Sequence, residues 1–320
     1  MTLLDEIKAK ALDGIPASVE EALRLNDICT TDELADAANE VRLRWEGDTI
    51  DTCSIINARS GHCSEDCKWC AQSRFHATGI NEYEFVPEEE ALKAAKINCE
   101  LGIKRLSLVT SGRKVAPADM ERFCELYRKI SAETGLYLCA SMGLLNLSEL
   151  KMLKAAGVKR YHCNLETSSR YFGTLCTTHS HSDKLKTIKM AQEAGLQVCS
   201  GGIIGMGESM RDRLELAQEA RDAGAVSIPV NILNPIPGTP LQDIPLISED
   251  EIIRSVALMR LIAPKVTMRF AGGRMRLSKK TMERILLGGM NGALMGDMLT
   301  TVGNSVNDDK ELFEKCGYQI

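Results

Sequence analysis

Three cysteines, Cys63, Cys67 and Cys70, follow one another in a single short segment of this chain. Thiolates at this Cys-x3-Cys-x2-Cys spacing can bind three irons of a cubic iron-sulfur cluster and leave the fourth iron without a protein ligand. An iron with an open position can bind a small molecule and react with it. The segment therefore predicts a catalytic metal centre.

Zinc and disulfide chemistry are less favoured by this pattern. A structural zinc site takes four protein ligands, usually as two pairs, and no second pair follows at a suitable distance. His62 adjoins Cys63, which strains a tetrahedral chelate. The first residues, from Met1 to Lys8, lack the basic and then apolar segments of a signal peptide, so we expect a cytoplasmic protein with reduced thiols.

With Trp69 directly before its last cysteine, the loop resembles the signature of the radical S-adenosylmethionine superfamily. The resemblance implies that Cys63, Cys67 and Cys70 hold a 4Fe-4S cluster whose fourth iron binds S-adenosylmethionine (SAM). It also implies that one electron from the cluster cleaves SAM to methionine and a 5'-deoxyadenosyl radical. Such a radical abstracts hydrogen from an unactivated carbon.

The composition is that of a globular protein with one large core. The chain has 320 residues, 44% of them hydrophobic, and a formal net charge of -5. Charges of both signs alternate along the predicted helices, so no basic surface for nucleic acid is expected. No apolar run approaches the roughly 18 to 20 residues of a membrane span.

Short apolar runs alternate with helical patterns along the chain, which predicts a complete (β/α)8 barrel of the TIM type. The predicted strands are 52–58, 104–110, 136–142, 159–166, 196–203, 226–233, 266–271 and 292–296. The predicted helices are 88–101, 117–134, 148–156, 182–194, 210–223, 248–263, 277–287 and 308–317. Residues 1–50, with capping boxes at Ser18 and Thr30, are predicted to be helices packed on the outside of a barrel formed by residues 51–320.

Strand alternation predicts which side chains point into the barrel. In the second predicted strand, for example, Leu106 and Leu108 should face the helices and Ser107 the lumen. The residues predicted to point inward are Cys53, Arg105, Ser107, Cys139, His162, Asn164, Glu166, Cys199, Asn231 and Arg269. Burying so many unpaired polar groups would cost several kcal/mol each, so the lumen is expected to hold ligands that use them.

Within the superfamily, the chain resembles the biotin synthases from about residue 45 to residue 317. The matching segments are 63–73, 164–168, 198–208, 229–233, 238–241 and 269–274. The resemblance implies insertion of sulfur into dethiobiotin to give biotin. It also implies a second, auxiliary iron-sulfur cluster in the lumen that supplies the sulfur.

The auxiliary cluster's ligands depart from the family pattern. By resemblance, Cys139, Cys199 and Arg269 are ligands, but Ser107 stands where the family has its third cysteine. Cys53 stands where the family usually has a serine, and alternation places it in the lumen. We therefore expect Cys53, Cys139 and Cys199 to bind the cluster with Arg269, as a 2Fe-2S core or a 4Fe-4S type with an extra sulfide; Cys176 is the alternative ligand.

The resemblance also assigns residues to SAM and to dethiobiotin, with three further departures. Glu166 replaces an aspartate, Lys184 an arginine and His162 an asparagine of the family pattern. The expected SAM-binding residues are Trp69, Asn164, Glu166, Lys184, Gly201 and Gly202. The expected substrate-binding residues are His162, Asn164 and Asn231.

The implied partners are dethiobiotin, an electron donor such as flavodoxin or ferredoxin, the iron-sulfur assembly machinery and a second copy in a homodimer. One alternative is a radical SAM enzyme that transfers no sulfur, such as a methylornithine synthase or a hydrogenase maturase. Another is an iron-sulfur carrier without chemistry of its own. The carrier would form no 5'-deoxyadenosine on reduction.

Overall fold

The computed structural model describes residues 1–296, 298–300, 303 and 305–320. It contains a closed barrel of parallel strands surrounded by helices, as the sequence predicts. The strands are β1 Asp51–Arg59, β2 Arg105–Thr110, β3 Tyr137–Ser141, β4 Arg160–His162, β5 Gln197–Cys199, β6 Gly202–Ile204, β7 Ser227–Ile232, β8 Thr267–Phe270 and β9 Gly292–Leu294.

The barrel closes where β5 and β7 pair through Cys199 and Ser227. The fifth predicted strand, 196–203, is divided into β5 and β6, so the described residues form nine strand segments in an eight-stranded barrel. The chain between the two segments passes so close to β7 that a Cβ on Gly201 would lie 2.0 Å from the Pro229 carbonyl oxygen. This contact accounts for the change of neighbours at the break. Before the break, β5 pairs with β4; after it, β6 pairs with β7 alone among the described strands.

The helices surround the barrel close to their predicted positions. They are α1 Leu3–Leu12, α2 Val19–Ile28, α3 Thr31–Glu46, α4 Glu88–Glu100, α5 Met120–Glu133, α6 Leu147–Ala155, α7 Ser169–Phe172, α8 His181–Glu193, α9 Met210–Asp222, α10 Glu249–Ile262, α11 Lys279–Leu286 and α12 Val306–Lys315. The short α7 was not predicted. Helix α6 begins after Asn146 rather than at Ser148, because Asn146 and Glu149 form the capping box.

Both predicted N-terminal capping boxes are present. Ser18 and Thr30 accept hydrogen bonds from the backbone of the glutamates three residues later, and these glutamates return the bond. Helices α2 and α3 contact α9 and α10 of the barrel, and their buried side chains belong to the same hydrophobic cluster as those of the barrel. This packing supports the proposal that residues 1–50 belong to the barrel's domain.

No helix in the described part of the chain combines the length and the apolar character that crossing a bilayer requires.

A buried ion pair joins the C-terminal helix to the barrel. Arg274 and Asp309 form two hydrogen bonds, of 2.6 and 2.5 Å, and neither side chain is more than 1% exposed. We expect Asp309→Asn to lower the free energy of unfolding by about 3 kcal/mol, because it leaves a buried guanidinium charge without its counter-ion. Urea unfolding followed by circular dichroism measures this; exposed Asp308→Asn on the same helix is the control, and equal effects of the two would contradict the prediction.

Candidate active site

The loop after β1 carries the three clustered cysteines, and backbone hydrogen bonds join its two arms. The Cys63 N–H donates to the Gln72 carbonyl at 3.0 Å, and the Arg74 N–H donates to the Cys63 carbonyl at 2.9 Å. The Cys70 N–H donates to the Cys67 carbonyl at 3.0 Å, which closes a turn between these two cysteines. The backbone itself therefore holds the three thiols in one place.

These thiols are close enough to affect one another's ionisation. Burial, with a smaller contribution from Cys63, raises the pKa of Cys70 to about 11. The pKa of Cys67 is raised by its hydrogen bond to Cys176, by burial and by nearby thiols that include Cys70. Thiols whose negative charges repel each other are stabilised by a bound cation, which displaces their protons. The three cysteines thus fit an iron-sulfur cluster with three protein ligands.

A cavity of about 400 Å³ fills the barrel lumen, and Trp69 and Cys70 of the loop form part of its wall. All ten side chains that alternation predicts to point inward line this cavity. They are Cys53, Arg105, Ser107, Cys139, His162, Asn164, Glu166, Cys199, Asn231 and Arg269. The leucines predicted to face outward, Leu106 and Leu108, are buried in the hydrophobic core.

Three cysteines of the cavity lie together around one arginine. The thiols of Cys53 and Cys139 interact, which lowers the pKa of Cys53 and raises that of Cys139. Burial alone would raise the pKa of Cys199, but the neighbouring His162 and the charge of Arg269 lower it overall. The positive charge of Arg269 acts on all three thiols. This donor set fits a second cluster with three thiolates and an adjacent guanidinium.

The hydroxyl of Ser107 borders the same group of thiols. Ser107 lies beside Cys139 in the parallel register of β2 and β3. Its Oγ is buried and makes no hydrogen bond within the described part of the protein. A buried hydroxyl without a partner costs free energy, which again fits a ligand in the lumen.

The cavity floor, at the amino ends of the strands, is positively charged. Asp51 accepts hydrogen bonds from Arg105 Nε at 2.7 Å and from Arg269 Nη2 at 3.0 Å, and Arg160 Nη1 lies 4.0 Å from it. Burial favours the neutral acid, but Arg269, Arg105 and Arg160 together hold the pKa of Asp51 below its usual value. Three guanidiniums facing one carboxylate leave a positive excess that suits a negatively charged cluster.

Asp51 and Arg160 were not among the predicted site residues. Their positions in the strands indicate that they point into the lumen. Asp51 lies two residues before Cys53, and Arg160 lies two residues before His162. Extending the alternation by one step at the beginning of each strand would have found them.

Two of the asparagines that line the cavity, Asn164 and Asn231, are held by backbone groups. Asn164 Oδ1 accepts from the Gly201 N–H at 3.1 Å, and Asn231 Oδ1 accepts from the Gly272 N–H at 2.9 Å. Asn231 Nδ2 donates to the Gly202 carbonyl at 3.1 Å. An amide nitrogen carries two hydrogens, so each side chain is fixed in orientation and keeps capacity for a further hydrogen bond.

Glu166 lies in the segment after β4 in an unusual backbone conformation. Its φ is 73°, in the left-handed region that residues with a Cβ rarely adopt. Lys184 Nζ lies 3.8 Å from its Oε1, and both side chains are largely buried. These two predicted SAM-binding residues therefore form an ion pair at the wall of the cavity, although Lys184 is not one of the lining residues.

Gly201 and Gly202 do not line the cavity. The structure gives them another role, because their lack of a side chain lets backbone segments approach. A Cβ on Gly202 would lie 2.2 Å from the Glu166 carbonyl oxygen, and Gly202 pairs with Glu166 through an isolated bridge. Any contribution of these glycines to SAM binding remains a proposal.

We expect Gly202→Ala to destabilise the protein by about 1–3 kcal/mol, because the new methyl group must displace the backbone of Glu166. Gly173→Ala is the matched control, since a Cβ there meets nothing within 4 Å and the φ is not positive. Thermal unfolding of both variants measures the difference. Equal stability of the two would show that the Glu166 segment moves without cost.

Cys176, the alternative ligand of the auxiliary cluster, lies elsewhere. Its Sγ is 3.6 Å from Cys67 Sγ, and Cys176 is not among the residues that line the cavity. The structure therefore groups it with the loop after β1. Cys53 is the cysteine that joins Cys139 and Cys199 in the lumen.

Two family models match the chain. The model described as the Radical SAM superfamily matches residues 58–220, and the Biotin and Thiamin Synthesis associated domain matches residues 229–319. Curated relatives match along the whole length. Biotin synthase from Clostridium perfringens is 46% identical over 320 residues and covers 100% of both chains, and that from Parabacteroides distasonis is 44% identical, covering 99% of this chain and 97% of its own.

Solved structures share the fold at much lower sequence identity. Methylornithine synthase superposes with a TM-score of 0.84 at 19% identity and covers 98% of this chain and 96% of its own. An FeFe-hydrogenase maturase, HydG, superposes with a TM-score of 0.84 at 18% identity, covering 99% and 74%. These structures correspond to the alternatives without sulfur transfer, but at such identity they show the barrel fold alone.

Proposed function

The chain belongs to the biotin synthase family, and we propose how the residues of its barrel carry out the conversion of dethiobiotin to biotin. One observation carries the proposal. Cys70 of the loop after β1 and the three thiols around Arg269 line a single cavity. A reaction that makes a radical at one place and transfers sulfur from another needs both sets on the same substrate cavity.

The loop thiols of Cys63, Cys67 and Cys70 would hold the 4Fe-4S cluster. Cys53, Cys139 and Cys199, with Arg269, would hold the auxiliary cluster. When bound, the first supplies the electron that cleaves SAM and the second supplies the sulfur atom. The floor arginines of the cavity offset the negative charge of the thiolates and the sulfide.

SAM would lie between the loop and the carboxyl ends of β4 and β5. Trp69 forms the wall beside Cys70, while Asn164 and Glu166 offer an amide and a carboxylate suited to ribose hydroxyls. Lys184, paired with Glu166 at 3.8 Å, is placed to attract a carboxylate as a point charge, without the two parallel hydrogen bonds that an arginine would make. Gly201 and Gly202 keep Glu166 in position.

Dethiobiotin would occupy the middle of the cavity. His162, Asn164 and Asn231 line it from β4, from the segment after β4 and from β7. Because backbone groups orient both asparagines, their remaining N–H donors are fixed before the substrate binds. A closed lumen of this kind also excludes water and stray hydrogen donors from a carbon radical.

We further propose that flavodoxin or ferredoxin donates the electrons, that the iron-sulfur assembly machinery loads both clusters and that the enzyme is a homodimer. These partners follow from the family. Size-exclusion chromatography with light scattering tests the dimer. Pull-down of reduced flavodoxin and ferredoxin tests the donor.

The reaction itself is tested by anaerobic incubation of the reconstituted protein with dethiobiotin, SAM and dithionite. We expect biotin and 5'-deoxyadenosine, measured by mass spectrometry. Formation of 5'-deoxyadenosine without biotin would favour a radical enzyme without sulfur transfer. Formation of neither product would contradict the radical mechanism.

A further inference from the structure

A second group of metal-binding side chains lies outside the cavity, where the segment after β4 touches the cysteine loop. Asp66 of the loop fixes this segment by accepting hydrogen bonds from the N–H groups of Thr177 and Thr178, at 2.9 and 3.2 Å. It also accepts from the Thr178 hydroxyl at 3.1 Å. These bonds bring Cys176 and His179 against Cys67, which is 109 residues away from Cys176 in the sequence.

The donor atoms of this group have the spacing of a tetrahedral site. Cys67 Sγ and Cys176 Sγ are 3.6 Å apart, and Cys176 Sγ lies 3.3 Å from His179 Nδ1 and 4.0 Å from Nε2. The ligand atoms of the three residues all lie within 4.8 Å of one another. A tetrahedral zinc ion sets two sulfurs about 3.8 Å apart, and a sulfur and a nitrogen about 3.5 Å apart.

The surroundings also orient the ligands of this site. Glu65 Oε2 lies 2.6 Å from His179 Nδ1, and both side chains are more than 90% buried. A carboxylate on one ring nitrogen orients the imidazole and leaves the other nitrogen, Nε2, for a metal. This nitrogen is 4.0 Å from Cys176 Sγ, about 0.5 Å beyond the tetrahedral sulfur–nitrogen spacing. Asp66 Oδ1 lies 3.3 Å from Cys176 Sγ and holds that thiol in place beside His179.

We propose that the protein without its radical cluster binds one tetrahedral Zn²⁺ ion through Cys67, Cys176 and His179, with a water molecule as the fourth ligand. Cys67 would then serve two centres that exclude each other. The metal site stands on the geometry alone, whereas the exclusion also rests on the proposed role of Cys67 as a cluster ligand. Zinc at this position would keep the 4Fe-4S cluster from forming.

The binding test uses full-length protein from which the clusters have been removed anaerobically by chelation. Zn²⁺ is titrated in competition with a chromogenic chelator, and Co²⁺ serves as the spectroscopic probe of tetrahedral sulfur ligation. We expect one high-affinity equivalent in the wild type and in Cys63→Ala. We expect Glu65→Gln to bind about 10- to 100-fold more weakly, and Cys176→Ala and Cys176→Ser to lose more than that.

The wild type alone provides an independent measurement of the ligands. Differential alkylation with peptide mass spectrometry should show Zn²⁺ protecting Cys67 and Cys176 while Cys63 and Cys70 stay reactive. Protection of Cys63 and Cys70 instead would overturn the proposal, because the loop cysteines would then bind the ion by themselves. Absence of one-to-one binding in the wild type would overturn it as well.

Cluster reconstitution tests whether the zinc ion and the 4Fe-4S cluster exclude each other. Zn²⁺ added first should slow formation of the 4Fe-4S absorption in the wild type and leave Cys176→Ala unaffected. Equal slowing in both would contradict the exclusion. Biotin formation by wild-type protein reconstituted without zinc is independent of this outcome, so failure of the zinc site is distinguishable from failure of the proposed function.

Discussion

Cys70→Ala is expected to abolish formation of both 5'-deoxyadenosine and biotin. Cys70 lies in the centre of the loop, where its backbone N–H closes the turn to Cys67 and its side chain lines the cavity. A cluster with only two thiolate ligands loses a third of its anchoring bonds and is not retained. The reconstituted variant should therefore contain about four fewer iron atoms per chain than the wild type.

Iron and sulfide analysis with electron paramagnetic resonance of the dithionite-reduced protein measures this loss. Cys99→Ala is the matched control, since Cys99 is an exposed cysteine of helix α4. It should keep both the iron content and the activity. If Cys70→Ala retained the reduced-cluster signal and cleaved SAM, the assignment of the loop would be wrong.

The sequence predicts the barrel well because two patterns, the alternation of side chains within strands and the caps of the helices, agree with each other. Alternation within the strands separates Leu106 and Leu108, which pack under the helices, from Ser107, which faces the lumen. The helix caps at Ser18, Thr30 and Ser248 fix where helices begin. These signals are local, and local signals can be followed along a single chain.

Features that depend on close approach between distant segments were not predicted. The break between β5 and β6 arises because Gly201 and Gly202 pass against Pro229 and Glu166. Glycine allows such contacts, but the sequence does not show which backbone will be the neighbour. The contact of Cys67 with Cys176 depends in the same way on the hydrogen bonds of Asp66 to a segment far along the chain.

Strand alternation and the resemblance to the biotin synthases disagreed about one cysteine ligand of the auxiliary cluster. Resemblance implied a cysteine in β2, where the chain has Ser107. Alternation placed Cys53 of β1 in the lumen instead, and the structure has Cys53 lining the cavity with Cys139 and Cys199. The charge of Arg269 acts on Cys53 as well as on Cys139 and Cys199. The geometry therefore supports Cys53 as the third ligand.

Cys53→Ser is accordingly expected to lose the auxiliary cluster and biotin formation while the radical cluster remains. A serine hydroxyl is a much weaker iron ligand than a thiolate, so the auxiliary iron and its sulfide should leave together. SAM cleavage should continue, because the loop cysteines are unchanged. Mössbauer spectroscopy with iron and sulfide counts measures the loss and also distinguishes a 2Fe-2S core from a 4Fe-4S type with an extra sulfide.

Two variants of Ser107 make this test specific. Ser107→Ala should keep the cluster, because it removes only a hydroxyl without a partner in the described part of the protein. The exchange Cys53→Ser with Ser107→Cys should restore bound iron, because Ser107 lies beside Cys139 in register and faces the same cavity. Retention of all auxiliary iron in Cys53→Ser alone would show that Cys53 is not a ligand. Failure of the exchange to restore iron would mean that the position of the third thiol along the barrel, and not only the number of thiols, determines whether the cluster forms.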